Sequence, residues 1–249
     1  GREGFWSPPK RSRRVPLELL SRKYDPTPPG PAGAVRAVSG HFIGRSVERL
    51  FAGRPVWRGL VLRDPARLVL SWYNYRMMRY CAQGRAAYAF GVHVRSLPPD
   101  PVAHFLLERW LELPWWRLAT LPTAEKRARL DAALATFDRV VDITQADALL
   151  AEVAARLGIP AGTGRDNTAG QWSAAVAWEP LRPEAVGSED SALLERRTRL
   201  DNYLWRRWAL GERDAALDPG AVAPFLTSEL SRPLAEIRRR AARAGAAGR

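Results

Sequence analysis

Runs of apolar and polar residues divide the chain into strands and helices of recognisable type. A short apolar run, rich in β-branched and bulky side chains, covers residues 56–62 and predicts a buried strand. It ends at Arg63-Asp64-Pro65, which is a strong helix start. Asp64 can cap free backbone N–H groups, and Pro65 suits the first helical position because no N–H is needed there. The helix is predicted to run to about Tyr80.

The remaining pattern predicts further strands and helices. A strand is expected over residues 34–38 and another over 139–143, followed by a capping-box-like sequence from Thr144 to Asp147 that opens a helix ending at Leu157-Gly158. Helical periodicity predicts three more helices, over residues 102–113, 124–136 and 188–210. Two stretches are expected to be mainly loop, residues 85–101 and 172–187. With 249 residues, the chain is expected to form one α/β domain with helical elaborations.

Charge narrows the range of partners. The formal net charge is +13 and the isoelectric point is about 10.9, which implies anionic partners: nucleotides, sulfated or phosphorylated substrates, nucleic acid or a membrane surface. Only three of the 39 basic residues are lysines, Lys10, Lys23 and Lys126. Arginine favours two-pronged phosphate contacts, but most of these side chains are expected to form a solvated surface.

Several classes of protein are disfavoured by what the sequence lacks. Cys81 is the sole cysteine, so no intrachain disulfide can form. No apolar stretch approaches the roughly 18–20 residues that a transmembrane helix needs, and there is no signal-like segment. No His, Cys and Asp cluster has the spacing of a metal site, so no metal is expected. A soluble cytoplasmic protein fits best, although a chain that begins at Gly1 leaves open a lost anchor.

The strand–turn–helix unit around Asp64 carries the most specific motif. It leaves a guanidinium and a hydroxyl beside a positive helix end, which is a place for a phosphate, although a plain structural cap has the same geometry. Residues 63–75 spell Arg-Asp-Pro-x-Arg-Leu-x-x-Ser-x-Tyr-x-Tyr. This resembles the 3′-phosphate-binding motif of sulfotransferases that use 3′-phosphoadenosine 5′-phosphosulfate (PAPS), in particular the carbohydrate 2-O-sulfotransferase type. The resemblance implies that Arg63 and Ser71 hold the 3′-phosphate.

The same resemblance implies a P-loop-like parallel sheet flanked by helices, with a phosphosulfate loop near the start of the chain. Pro9-Lys10 resembles the beginning of that loop, so Lys10 would stabilise the leaving phosphate and, with Arg11, Ser12 and Arg13, contact the cofactor. Where the family has glycines that let backbone N–H groups approach phosphate, this chain has arginines. The loop has therefore been cut away, has diverged, or belongs to a protein impaired in catalysis.

A histidine near the second predicted strand resembles the family's catalytic base. The turn Gly40-His41-Phe42 is similar to the Gly-His turn of the carbohydrate 2-O-sulfotransferases, which implies that His41 takes the proton of the acceptor. A sugar hydroxyl is a poor nucleophile until its proton is removed, and a neutral imidazole can remove it. His93 and His104 lie outside any matching motif and are expected to be structural.

The residues that would bind the acceptor are indicated by residue type and not by a motif. Four residues could stack on and pair with a glycan: Arg95, Trp115, Trp116 and Arg117. Arg165, in a loop, is a further candidate for the 3′-phosphate. The implied organisation is a basic Pro-rich segment (1–33), a sulfotransferase-like α/β domain (34–231) and an Arg/Ala-rich tail (232–249).

The sequence thus predicts sulfuryl transfer from PAPS to a hydroxyl of a carbohydrate or small molecule, with an anionic glycan among the acceptors. Two alternatives stay open. One is a non-catalytic, sulfotransferase-like nucleotide-binding protein. The other is a basic nucleic-acid-binding protein, although no specific nucleic-acid motif is present. A nucleotide kinase is disfavoured because the chain has no Gly-x-x-x-x-Gly-Lys-Ser/Thr loop.

Overall fold

The described part of the chain is mostly helical and contains two small parallel sheets. The computed structural model describes residues 5–6, 36–38, 44–160 and 178–217. In one sheet β1 (Phe5–Trp6) pairs with β2 (Ala37–Val38), and in the other β3 (Gly59–Leu62) pairs with β4 (Arg139–Asp142). Both pairs are parallel. The chain is therefore α/β, as expected, with helices in the majority.

Five α-helices lie between β3 and β4 in the sequence, and three more follow β4 among the described residues. The α-helices of the described residues are α1 (Pro65–Ala82), α2 (Phe90–Ser96), α3 (Pro101–Phe105), α4 (Trp115–Thr120), α5 (Thr123–Leu134), α6 (Ala146–Leu157), α7 (Ser188–Arg197) and α8 (Arg199–Leu204). Two π-helical turns continue α3 and α8, at Leu106–Trp110 and Trp205–Ala209. Short 3-10 helices cover Arg45–Phe51, Ile143–Gln145 and Pro183–Ala185.

The register of the second sheet fixes where its two helices begin. Gly59 lies opposite Arg139 and Leu62 lies opposite Asp142, so β3 and β4 end at the same edge. Helix α1 starts at Pro65, just beyond β3, and α6 starts after one 3-10 turn beyond β4. In α/β proteins, ligands bind at this carboxyl edge of parallel strands.

Arg58 holds the start of β3 in place. Its Nε lies 2.5 Å from one carboxylate oxygen of Glu48 and its Nη2 lies 2.9 Å from the other. Its backbone N–H donates to Asp138 at 2.7 Å, so a side chain takes the place of a ladder bond here. The strand predicted over residues 56–62 is accordingly shorter than expected. The two-pronged ion pair fastens the 3-10 helix at Arg45–Phe51 to the sheet.

Two apolar clusters form the described core. The first joins α3, its π-helical turn, α4, α5 and α8 through Ala103, Leu106, Leu107, Leu118, Leu130, Leu134, Leu200, Tyr203 and Leu204. The second packs α1 against α2 and α7 through Val69, Leu70, Tyr73, Met77, Phe90, Val94 and Leu194. The second cluster holds α1, and with it the motif at its start.

Several predicted elements are confirmed. Helix α1 begins at Pro65 and continues to Ala82, helix α5 and strand β4 lie where the pattern placed them, and α6 ends at Gly158 in the left-handed conformation, with φ of 64°. The capping-box prediction is wrong, because Asp142 caps the turn by accepting hydrogen bonds from the backbone N–H and hydroxyl of Thr144, at 2.9 and 2.7 Å. The carboxylate at the end of β4 therefore binds both Thr144 donors.

Three other expectations are wrong. Residues 85–101 are not a plain loop, because Phe90 and Val94 bury one face of α2 against α1 and α7. The helix predicted over 102–113 ends earlier, at Trp110, and Pro114 precedes α4.

The third concerns the long helix predicted over 188–210, which is broken at Thr198, where φ is −126° and ψ is 27°. The carbonyl of Arg197 accepts the N–H of Asp100 at 2.7 Å instead of continuing the helix. A contact from a distant part of the chain therefore ends α7, and such a contact cannot be read from local periodicity.

Candidate functional site

The junction of β3 and α1 has the capped geometry that the sequence predicts. The carboxylate of Asp64 accepts the backbone N–H of Arg67 at 2.9 Å, and its carbonyl accepts that of Leu68 at 2.9 Å. Pro65 is buried at the first helical position. An 18-residue helix therefore points its positive end at the carboxyl edge of the sheet.

Arg63 links this helix end to the sheet and carries an unpaired donor. The side chain is half-buried, and its Nε is buried with no hydrogen-bond partner among the described residues. Leaving a buried donor unpaired costs about 1–3 kcal/mol, and more for a charged group. Arg63 thus places a positive charge next to the positive end of α1.

Ser71 lies two turns into α1, on the side of the helix that carries Asn74. It is half-buried. Asn74, three residues on, holds the backbone of Leu181 by two hydrogen bonds of 2.9 Å, donating through Nδ2 and accepting through Oδ1. Residues three apart on a helix are surface neighbours. The segment that contains Leu181 is therefore fastened beside the face on which Ser71 lies.

Asp142, at the end of β4, is a structural anchor that the sequence reasoning missed. One of its oxygens accepts both Thr144 donors, and the other accepts the indole N–H of Trp205 at 2.8 Å. Burial alone would raise the pKa of Asp142, but these hydrogen bonds outweigh it and the pKa lies below its ordinary value. The carboxylate is thus ionised, both of its oxygens accept hydrogen bonds from Thr144 or Trp205, and it fixes the edge of the sheet. An Asp two residues before a Thr at a strand end was the available signal.

The predicted acceptor residues lie on two helices that belong to different clusters. Arg95 is exposed on α2, which packs against α1 and α7, whereas Arg117 is exposed on α4, which packs against Leu106–Trp110. Trp115 and Trp116 begin α4, and their side chains lie outside the described residues. Their role in acceptor binding stays a prediction.

The other predicted site residues are not among those the structure describes. This applies to Lys10, Arg11, Ser12, Arg13, His41 and Arg165, whose roles stay predictions. The strands that precede two of them are described: β1 ends at Trp6, before Lys10, and β2 ends at Val38, before His41. Because β1 and β2 are parallel, these two carboxyl ends lie at one edge.

The described ranges offer neither a metal centre nor a membrane-spanning helix. Residues 44–160 and 178–217, with the short pieces before them, contain no group of three or more His, Cys, Asp or Glu side chains able to hold a metal ion. In the same part of the chain, every helix is too short or too polar to cross a bilayer. Comparison of the chain with protein-family models, with curated proteins and with solved structures gave no match.

Proposed function

We propose that this protein is a PAPS-dependent sulfotransferase that binds its nucleotide at the carboxyl edge of the β3–β4 sheet. The observation that carries the proposal is Arg63, a cation whose Nε is buried without a partner among the described residues, at the start of the motif that resembles the 3′-phosphate site. The α/β character and the two parallel strand pairs are compatible with the P-loop-like sheet of that family, which belongs to the proposal.

The 3′-phosphate would sit between the strand end and the first turns of α1. Arg63 offers a charged donor there, and Ser71 offers a hydroxyl on the half-buried part of the helix. The dipole of α1 adds favourable potential for an anion at its first turn. Asp64 is already engaged with Arg67, so its negative charge serves the helix cap and is held at a fixed position.

The transfer itself would be in line, with negative charge developing on the bridging oxygen of the leaving 5′-phosphate. Positioning and charge stabilisation dominate reactions of this type. Lys10, with Arg11 or Arg13, would stabilise the leaving group, and His41 would take the acceptor proton. These roles come from the resemblance. The parallel pairing of β1 with β2 supports them to the extent that both strands end at one edge, shortly before Lys10 and His41.

A second function, nucleotide binding without transfer, is favoured by one specific feature. Arg11, Ser12, Arg13 and Arg14 stand where a phosphosulfate loop has glycines and hydroxyls. Arginine side chains add charge but do not give the close approach of backbone N–H groups that glycines allow. A protein of this kind would bind the nucleotide and release no sulfated product with any acceptor.

Calorimetry with two nucleotides tests the proposal. Adenosine 3′,5′-bisphosphate should bind with saturation, and adenosine 5′-monophosphate, which lacks the 3′-phosphate, should bind at least about tenfold more weakly because it cannot use Arg63. A generic basic protein would bind both weakly, with a steep dependence on salt and no preference. Incubation with PAPS and a panel of glycans then separates an enzyme from a binding protein.

A further inference from the structure

A cavity lies between α1 and α2, on a face of α1 next to that of Ser71. Its volume is about 410 Å³. Most of its wall comes from one stripe of α1, where three- and four-residue spacing places side chains on one face: Trp72, Tyr75, Arg76, Arg79 and Tyr80. His93, from α2, lines the other side, and Gln83 and Leu97 contribute the rest of the described lining. A cavity of this size can hold a ligand of one or two rings.

The aromatic wall of this cavity is unusually open to solvent. Tyr75 is 54% exposed and Trp72 is 37% exposed, although α1 has a full buried face of its own. Tyr80 is held edge-on by Tyr88, with ring centroids 5.7 Å apart. Such ring faces favour a planar apolar partner.

The charges around the cavity select an anion. Arg76 and Arg79 are both exposed members of the wall, and none of the described residues that line the cavity is an Asp or Glu. The guanidinium of Arg79 lies over the ring of Tyr75, 5.7 Å from its centroid, which keeps it close to the aromatic wall. Two guanidinium groups beside open aromatic faces match a ligand that carries both a ring and a negative charge.

His93 supplies a buried ring nitrogen, Nε2, that has no hydrogen-bond partner among the described residues. The His93 side chain is only 2% exposed. Its Nδ1 lies 3.5 Å from the hydroxyl of Tyr88, which in turn lies 3.5 Å from Nη1 of Arg76. Arginine can only donate, so the Tyr88 hydroxyl accepts from Arg76, and it donates to Nδ1 in the tautomer that carries the His93 proton on Nε2.

This chain of contacts is compatible with a neutral His93 whose proton lies on Nε2. Burial, and then the charge of Arg76, lower the pKa of His93 to about 4, so the imidazole is neutral at physiological pH. A neutral imidazole whose Nδ1 accepts carries its proton on Nε2. In that tautomer, His93 offers an N–H donor without a partner among the described residues, and Arg76 and Arg79 offer further donors, with no Asp or Glu among the described residues of the lining.

We propose that this cavity binds a small aromatic anion, a ring system that carries a sulfonate, sulfate or carboxylate group. The ring lies against Trp72 and Tyr75, Arg76 and Arg79 hold the anionic group, and the Nε2–H of His93 donates to the ligand. The site is independent of the sulfotransferase proposal, because neither Arg63 nor Ser71, the residues proposed to hold the 3′-phosphate, lines it and its ligand need not be a substrate.

Calorimetry with naphthalene-2-sulfonate tests the charge and ring requirements together. The sulfonate should bind with saturation, the neutral naphthalene-2-sulfonamide at least about tenfold more weakly, and inorganic sulfate without measurable saturation. Arg76→Gln and Arg79→Gln should each weaken the sulfonate by about tenfold or more. Arg196→Gln, which removes an exposed arginine of α7 outside the cavity, should leave the affinity within about twofold.

The location is tested by a signal from His93 itself. The chain has three histidines, so nitrogen NMR of the imidazoles, assigned with His93→Phe, can follow this one ring. Addition of naphthalene-2-sulfonate should shift the Nε2 resonance of His93, and His93→Phe should fold and bind more weakly. Equal affinity for the sulfonate and the sulfonamide, no saturable binding, unchanged affinity in both arginine variants, or an unshifted His93 resonance would each overturn the proposal.

Discussion

Asp100 and Asp201 cap each other's helices. Asp100 precedes α3 and accepts the backbone N–H of Leu200 in α8 at 2.7 Å, while Asp201 in α8 accepts the N–H groups of Val102 and Ala103 in α3 at 3.0 and 2.7 Å. Burial raises the pKa of Asp100 to about 6, and burial together with the charge of Asp100 raises the pKa of Asp201 well above its ordinary value. Two neighbouring carboxyl groups thus secure the first apolar cluster.

This arrangement predicts a stability that falls as pH rises. The folded-state pKa of both groups is raised, so the native state binds more protons than the unfolded chain and the free energy of unfolding decreases as pH rises from about 4 through about 6. Asp100→Asn removes one charge, and Asn tolerates the left-handed backbone at this position, where φ is 49°. The variant should be more stable than wild type at pH 8 by about 1–3 kcal/mol.

Urea denaturation between pH 4 and pH 8 measures this difference. The advantage of Asp100→Asn should shrink toward pH 4, where wild type is protonated at this position. Burial raises the pKa of Asp100, and the charges of Lys126 and Arg197 act in the opposite direction because they favour its ionised form. Wild-type and variant stabilities that stay parallel over the whole range would contradict the proposed titration.

Truncation in the first cluster should be costly. Leu107 is completely buried, and Leu107→Ala removes apolar contacts and leaves a cavity among close-packed helices. We expect a loss of about 2–5 kcal/mol in the free energy of unfolding. Leu150→Ala is the matched control, because Leu150 is 56% exposed on α6 and should cost less than about 1 kcal/mol. Equal losses from urea titrations of the two variants would place Leu107 outside the core.

The hydrogen bond between Asp142 and Trp205 should couple the sheet edge to the end of α8. In Asp142→Asn, the amide oxygen can keep the Thr144 bonds, but the amide N–H group then faces the indole N–H of Trp205. We therefore expect a loss of about 1–3 kcal/mol in the free energy of unfolding.

The contribution of Asp142 to stability should also depend on pH. Since the pKa of Asp142 is lowered, its contribution is present above about pH 4 and is lost as pH falls further. A double-mutant cycle with Trp205→Phe, followed by urea denaturation, should show clear non-additivity. Additive losses would mean that the bond contributes little.

His41→Ala should separate chemistry from binding. If His41 takes the acceptor proton, the variant should lose about 100-fold or more in turnover with PAPS and an accepted glycan. Its affinity for adenosine 3′,5′-bisphosphate, measured by calorimetry, should stay close to that of wild type. His104→Ala is a control for loss of a histidine, and turnover that survives in His41→Ala would remove this residue from the mechanism.

Local sequence signals were sufficient where a local cause determines the structure. Asp64 and Pro65 fixed the start of α1, and Gly158 fixed the end of α6, because each acts within a few residues of its own position. The break at Thr198 depends on Asp100, about 100 residues away, and no local pattern carries it. The hydrogen bond from Trp205 to Asp142 likewise could not be read from the sequence, because the two residues are far apart along the chain.

The site residues divide in a similar way. The Arg63 junction follows from the motif, and the structure places it at a strand end with its helix capped as expected. The place of His93 in the cavity wall was missed because residues 85–101 were predicted to be mainly loop, whereas they contain α2. The stripe of aromatic and basic residues on α1, by contrast, was visible in the sequence as three- and four-residue spacing. A helix that carries exposed aromatics beside arginines is a signal to search for the element packed against it.

Calorimetric titration of adenosine 3′,5′-bisphosphate into Arg63→Gln is the most direct test of the sulfotransferase proposal. Its matched control is Arg139→Gln, which removes an exposed arginine at the amino end of β4, opposite the proposed site. Because Arg63 Nε has no partner among the described residues, the variant should fold, which thermal melting can verify. The account predicts a loss of about 1.5–3 kcal/mol in binding free energy for Arg63→Gln and little change for Arg139→Gln. Equal affinity in a folded Arg63→Gln would contradict it.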